Sequence, residues 1–226
     1  MEGMYNLVKD FFSHDMDLVD LFDSEAIIWI DWREYDEDVV NYFNDMMDEP
    51  IDIQIVSNGK PYGDDIVLKN GNKELQIPYG DEQDRDVTIK YFNDFVKPDY
   101  EVRWFTESLG NDTLGFTVLS GAEWAKLNDE FGEDVIRYYF EPIDFESDMF
   151  NLGMDEVFAL LALRENSEGV NTQFSTQLDW IRIINKEKTL TEQKENGQID
   201  LKQYMVAKKE LQQSKDDFIA AHGPMK

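Results

Sequence analysis

Cysteine is absent from the 226 residues, histidine occurs twice, and basic side chains are outnumbered by more than two to one. Without a thiol there is no disulfide framework, no thiolate zinc site and no cysteine nucleophile. His14 and His222 are far apart in sequence, so a multi-histidine metal site is excluded in practice and a histidine-based triad would have to use His14. No apolar run approaches the roughly 20 residues of a membrane-spanning helix, and the opening Met-Glu-Gly-Met-Tyr-Asn lacks the cationic segment of a secretory signal. These absences lead to the expectation of a cytoplasmic protein without cofactor or metal. What is present is acid and a core: 49 Asp and Glu against 21 Lys and Arg, with 42% hydrophobic and 13% aromatic residues, enough to fold despite the charge.

The acid is unevenly distributed. Met1 to Gly169 holds 41 acids and 12 bases, a formal charge of −29, whereas Val170 to Lys226 holds eight acids and nine bases, or +1. A compact body of one sign repels itself, and folding rarely requires such segregation. The field suits recognition of a strongly basic protein, and it repels nucleic acid and anionic membrane. The expected organisation is therefore an acidic α+β domain over 1–169 followed by a helical segment over 170–226.

Apolar spacing from Tyr5 to Phe22 reads as two short helices or one helix broken near His14. Ala26 to Trp32 reads as a buried strand, Asp36-Glu37-Asp38 as the acidic opening of a helix whose apolar face is Val39, Val40, Tyr42, Phe43 and Met46, and alternating Ile51, Ile53, Ile55 as a strand after Pro50. This β-α-β pattern recurs. A shift of 49 residues lays Ala26–Ser57 over Leu75–Thr106 without a gap, placing Tyr42-Phe43-Asn44-Asp45 on Tyr91-Phe92-Asn93-Asp94 and the three isoleucines on Tyr100, Val102 and Trp104. Between the copies, Asn70-Gly71 marks a type I′ hairpin turn, so both copies are expected to share one mixed sheet. Further on come a strand over Leu114–Leu119, a capping box at Ser120/Glu123, and helix or strand over Val135–Phe140. Met154–Arg164 is apolar almost all round and is expected to be a central core helix.

The C-terminal segment is helical in pattern from Thr176 and reads as a helical hairpin over about 189–221, with Gly197 in a left-handed cap and Asp200 as N-cap with Gln203. Its order of Leu190, Gly197-Gln198-Ile199, Tyr204, Lys208 and Leu211 resembles the short C-terminal helical module known as SHOCT, over about a tenth of the chain. That resemblance implies a docking or oligomerisation appendage. A plain antiparallel helix pair packed on the main domain is the alternative.

Catalytic patterns give little. Ser120 lies between strand and helix but lacks the flanking glycines of a nucleophile elbow, and its capping role explains it. An EF-hand loop beginning at Asp81 would need glycine and glutamate where Asp86 and Phe92 stand. Asn58-Gly59-Lys60-Pro61-Tyr62-Gly63-Asp64 lacks the spacing of a phosphate loop and reads as a turn. Carboxylate pairs such as Asp64/Asp65 or Asp31/Glu34 are unavoidable among 49 acids, with a solvated face as the default. The candidate partner-binding residues are Asp31, Trp32, Glu34, Tyr35, Asp36, Glu37 and Asp38 at the first helix start and Asp81, Glu82, Asp84 and Asp86 at the second, with Trp32 and Tyr35 as aromatic anchors.

Asp112-Thr113-Leu114-Gly115-Phe116, Glu123-Trp124, Leu127, Phe131-Gly132 and Phe140-Glu141-Pro142-Ile143, about a sixth of the chain, together with the acidic, cysteine-free character, resemble immunity proteins of bacterial toxin systems, delivered by contact or by type VI secretion. The resemblance implies a cognate toxin as partner and carries over no functional residue. The other readings are a nucleic-acid mimic that blocks a defence protein and a carboxylate-dependent enzyme.

Overall fold

The computed structural model describes residues 2–60, 63–166 and 172–225. The chain forms two compact units, Met1–Asn151 and Leu152–Lys226. The division precedes the one expected near Gly169, which lies outside the described residues.

The N-terminal unit is α+β. It opens with helices α1 (Glu2–Phe12) and α2 (Leu18–Phe22), separated where His14 takes a positive φ of 64°. Then follow β1 (Ile28–Asp31), α3 (Asp36–Asp45), β2 (Asp52–Val56), β3 (Asp65–Asn70), β4 (Lys73–Gln76), α4 (Arg85–Val96), β5 (Tyr100–Phe105), a 3₁₀ turn at Thr106–Ser108, β6 (Thr113–Ser120), α5 (Gly121–Phe131), α6 (Glu133–Tyr139) and β7 (Phe140–Pro142). Ser120 makes the expected capping box: its hydroxyl accepts from Glu123 N–H at 3.2 Å while the Glu123 carboxylate accepts from Ser120 N–H at 2.8 Å.

The described residues form two sheets, ordered β1-β6-β5-β7 and β2-β3-β4, and every pairing in them is antiparallel. The single mixed sheet is thus corrected. Each helix of the repeat carries the chain from one sheet to the other, so the two strands of a unit never share a ladder. The β3–β4 hairpin claims β2, and β6 is inserted between β1 and β5. The hairpin loop is also shifted by one residue: Asn70 pairs with Lys73, leaving Gly71-Asn72 in the loop, with the positive φ of 59° at Gly71 as in a type II′ turn.

The order β-α-β is the same in both copies, and the helix-to-strand halves keep the 49-residue register: α3 and α4 both start on it, and β2 shifts onto 101–105 of β5. The first strands do not, since β1 shifts onto 77–80, just after β4. Residues equivalent under the shift meet each other. Phe43 and Phe92 touch with ring centroids 5.7 Å apart, and Asp36 pairs with Arg85 at 2.7 Å. The two repeat helices α3 and α4 therefore pack on each other through equivalent positions.

One face of the four-stranded sheet carries Phe105 and Leu119 against α1, α2, α5 and α6, with Met4, Val8, Phe12, Leu21, Trp124 and Phe140 buried there. The other carries Phe116 against Phe43, ring centroids 5.7 Å apart. Phe43, Phe92 and Phe116 are fully buried, each worth about 2–3 kcal/mol of apolar burial.

The C-terminal unit is helical: α7 (Met154–Asn166), α8 (Phe174–Glu195) and α9 (Leu201–His222). Helices α8 and α9 form the expected hairpin, though α8 begins 15 residues before Thr189. Gly197 has φ 69° and Asp200 makes a capping box with Gln203. Helix α7 is not the core helix its composition suggests. Leu160 is buried, but Met154 and Phe158 are 65% and 61% exposed, because within this unit α7 packs along one side, where Glu156 meets Arg182 at 3.0 Å. Among the described residues no helix is long and apolar enough to cross a membrane.

Candidate functional site

The starts of α3 and α4 meet through a cation, not through a shared acidic patch. Arg85, the first residue of α4, donates through Nε to Asp36 Oδ1 at 2.7 Å, through Nη1 to the Asp31 carbonyl at 2.8 Å, and through Nη2 to the Glu34 carbonyl. It also lies 5.5 Å over the Phe150 ring. Thr88 donates its hydroxyl to the second Asp36 oxygen, and the Tyr79 hydroxyl lies 2.6 Å from that of Thr88. Burial pushes the Tyr79 phenol far above its ordinary range, with the nearby Asp36 and Glu37 charges adding to the effect.

Asp36 and Asp86, named above as partner-binding, are interior groups, 5% and 1% exposed. Each lies in the first turn of a helix on the side turned toward its neighbours. Asp36 is held by Arg85 and Thr88. Asp86 accepts backbone N–H groups from Met149, Phe150 and Asn151 at 3.0, 2.9 and 3.2 Å, which fixes the end of the N-terminal unit onto α4. Burial raises the Asp86 pKa, and the three N–H groups and Lys90 pull it partly back. Neither carboxylate can meet a partner on an open face. Asp84 is the N-cap of α4, accepting from Val87 N–H at 3.2 Å and from the Asn151 amide. Glu37, the counterpart of Asp86 under the shift, takes Asp64 N–H at 3.1 Å on Oε1, while its buried Oε2 has no partner.

The outward part of the candidate surface is smaller. Trp32 and Tyr35 are 63% and 72% exposed, and Arg33 lies 5.1 Å over the Trp32 ring while bridging Asp31 at 3.4 Å. Asp38, Asp81 and Glu82 are exposed, and Asp31 and Glu34 half-buried, Glu34 accepting from Asp31 N–H at 3.2 Å. This is an aromatic pair rimmed by carboxylates, chemically suited to a basic protein surface. Among the described residues no three histidine or acidic side chains converge closely enough to hold a metal ion. Ser120 is committed to its cap. Of the turn 58–64, Pro61 and Tyr62 lie outside the described residues. A cleft of about 600 Å³ between α8 and α9, lined in part by Arg182, Lys186, Leu190, Glu210 and Leu211, belongs to the nearly neutral unit and gathers no catalytic set.

Sequence reading missed Arg85 as the hub and missed the role of the repeated asparagines. Asn44 brackets Ile51, donating to its carbonyl at 3.0 Å and accepting from its N–H at 2.8 Å. Asn93 accepts from Val102 N–H at 2.7 Å and donates to the Ile143 carbonyl at 2.8 Å. The shared Tyr-Phe-Asn-Asp was the visible signal. Comparison of the chain with protein-family models, curated proteins and solved structures finds no match.

Proposed function

We propose that this protein is a cytoplasmic binding protein, not an enzyme, that neutralises a basic protein by occluding it, in the manner of an immunity protein acting on a cognate bacterial toxin. The observation that carries this reading is the partition of charge between the two units. Residues 1–151 contain 37 acids and 11 bases, a formal charge of −26, and residues 152–226 contain 12 acids and 10 bases, or −2. Among the described residues of the first unit, only Asp36, Asp86 and Glu141 are buried acids. The remaining charge faces or approaches solvent, where it repels itself and is useful chiefly to attract an oppositely charged partner.

The test is kinetic. With the product of the neighbouring reading frame as ligand, the association rate should fall steeply as salt rises from low to several hundred millimolar, because exposed charges are screened over about 8 Å at physiological ionic strength. Reversing Asp38, Asp81 and Glu82 together to Lys, with Trp32→Ala, should weaken binding about tenfold or more, or about 1.4 kcal/mol, at unchanged melting temperature. An association rate indifferent to salt overturns the reading. Ready displacement of the partner by generic duplex DNA would instead indicate a nucleic-acid mimic.

A further inference from the structure

The 49-residue register exposes a vacancy. Strand β5 is paired on both sides, by β6 and β7, whereas among the described residues its counterpart β2 is paired only by β3. The open side of β2 can be assigned residue by residue. Ile77 N–H donates to the Ile66 carbonyl at 2.9 Å, so Ile66 and Leu68 direct their backbone groups toward β4, and Asp65, Val67 and Lys69 direct theirs toward β2. Their partners there are Val56, Gln54 and Asp52. The N–H and C=O groups of Ile53 and Ile55 therefore point away from the sheet. Ile51 confirms the alternation, since its own outward pair is taken by the Asn44 side chain. Ile53 and Ile55 have no such side chain and no backbone partner among the described residues.

Under the 49-residue shift Ile53 and Ile55 become Val102 and Trp104. Trp104 stands opposite Glu141 of β7, and Val102 is joined to Ile143 through the Asn93 amide. The chain running from Phe140 past Ile143 to the Asp86 clamp at 149–151 thus completes the second copy, and nothing in the described residues completes the first. The open edge is also sticky: Ile55 and Val56 are 42% and 47% exposed, on a strand that is otherwise a standing template for another chain.

We propose that the β2 edge accepts an extended segment of the basic partner as a fourth strand of the β2-β3-β4 sheet, a proposal that rests on the reading above. The two faces of β2 define the segment. Ile53 and Ile55 share the face of Leu68 and Ile66, and Asp52 and Gln54 share the opposite one, with exposed Asp45, Asp48 and Glu49 just upstream. A matching strand alternates apolar side chains with Lys or Arg, its backbone bonding Ile53 and Ile55. A second copy of this chain fits less well, because it would bring two acidic edges together.

The probe is a fluorescein-labelled peptide in which Lys alternates with Val and Ile, titrated by anisotropy against the full chain at low salt. N-methylating the peptide at alternate residues should cut affinity about tenfold or more, as should Ile55→Pro, which removes an outward N–H without touching the β2–β3 ladder. The N-methylated peptide keeps the test independent of the variant's folding. Equal binding of the parent and N-methylated peptides overturns strand addition and leaves the acidic-binding reading standing. Failure of both the alternating peptide and a scrambled one of equal charge to bind overturns the reading on which it rests. A dimer abolished by Ile55→Pro assigns the edge to a second copy and overturns the proposal.

Discussion

Copy two of the repeat is finished by the chain that follows it, and copy one is not. In the second, β7 covers β5, Asn93 ties β5 to the segment after β7, and Asp86 takes three backbone N–H groups from the end of that segment. In the first, the edge of β2 is bare, Asn44 is folded back onto its own strand, and Glu37 holds one backbone N–H with its second oxygen unmatched. Phe43 and Phe92, which touch, are identical, Asp36 and Arg85, which also meet, are opposite in charge, and the residues at the periphery differ. Packing between α3 and α4 therefore constrains the repeated phenylalanines, while the outer surface of each copy is free to take either an internal segment or something from outside.

The largest effect should come from breaking the contact between α3 and α4. Arg85 and Asp36 have side chains only 11% and 6% exposed, so Arg85→Ala strands a carboxylate in the interior and releases the Asp31 and Glu34 carbonyls as well. A loss of about 3–5 kcal/mol in urea denaturation is expected. Adding Asp36→Leu should return part of that loss, because the stranded charge goes too. If Arg85→Ala costs no more than a surface substitution, the pair does not hold the two copies together.

Much of this was legible in the chain, and the limits were physical. Periodicity and caps located the helices, since Ser120/Glu123 and Asp200/Gln203 are local hydrogen-bond signals. The 49-residue shift located the repeat because Phe43 and Phe92 pack on each other and Asn44 and Asn93 each bond the backbone of the segment that follows their helix. Sheet partnership was not legible: β2 and β5 have similar alternation, yet one is an edge and the other central, and that depends on β3, β6 and β7. Nor was the burial of Asp36 and Asp86, since one acid in a run of acids looks like any other until its neighbours are placed. Helix α7 failed for a related reason. Its apolar residues fixed a helix, but how many faces are covered depends on tertiary partners.

The asparagines sharpen the comparison at intermediate cost. Asn93 is 1% exposed, and Asn93→Ala leaves the Val102 N–H buried without an acceptor, although Lys97 Nζ still reaches the Ile143 carbonyl at 3.3 Å. A loss of about 2 kcal/mol is expected. Asn44→Ala, on a half-buried side chain beside an open edge where water can replace it, should cost about 1 kcal/mol or less. Equal losses would mean that the β2 edge is as enclosed as β5.

The smallest effect separates the two first-turn acids by pH. Asp86→Asn keeps one acceptor oxygen but turns an amide N–H₂ toward one of the three backbone donors, at a cost of about 1 kcal/mol. Because burial raises the folded-state pKa of Asp86 above 3.8, its ionisation disfavours the folded form. The associated stability is fully present below the ordinary carboxylate value and is lost as pH rises through the folded value. The asparagine variant cannot titrate there, so the difference between it and the parent should be widest in acid and narrow as pH rises toward neutrality. The difference between the two denaturation curves isolates this group from the other acids, whose mutual repulsion also changes with pH. Parallel pH profiles would show that the N–H clamp fully offsets burial, and a gap that widens toward neutrality would show that it outweighs it.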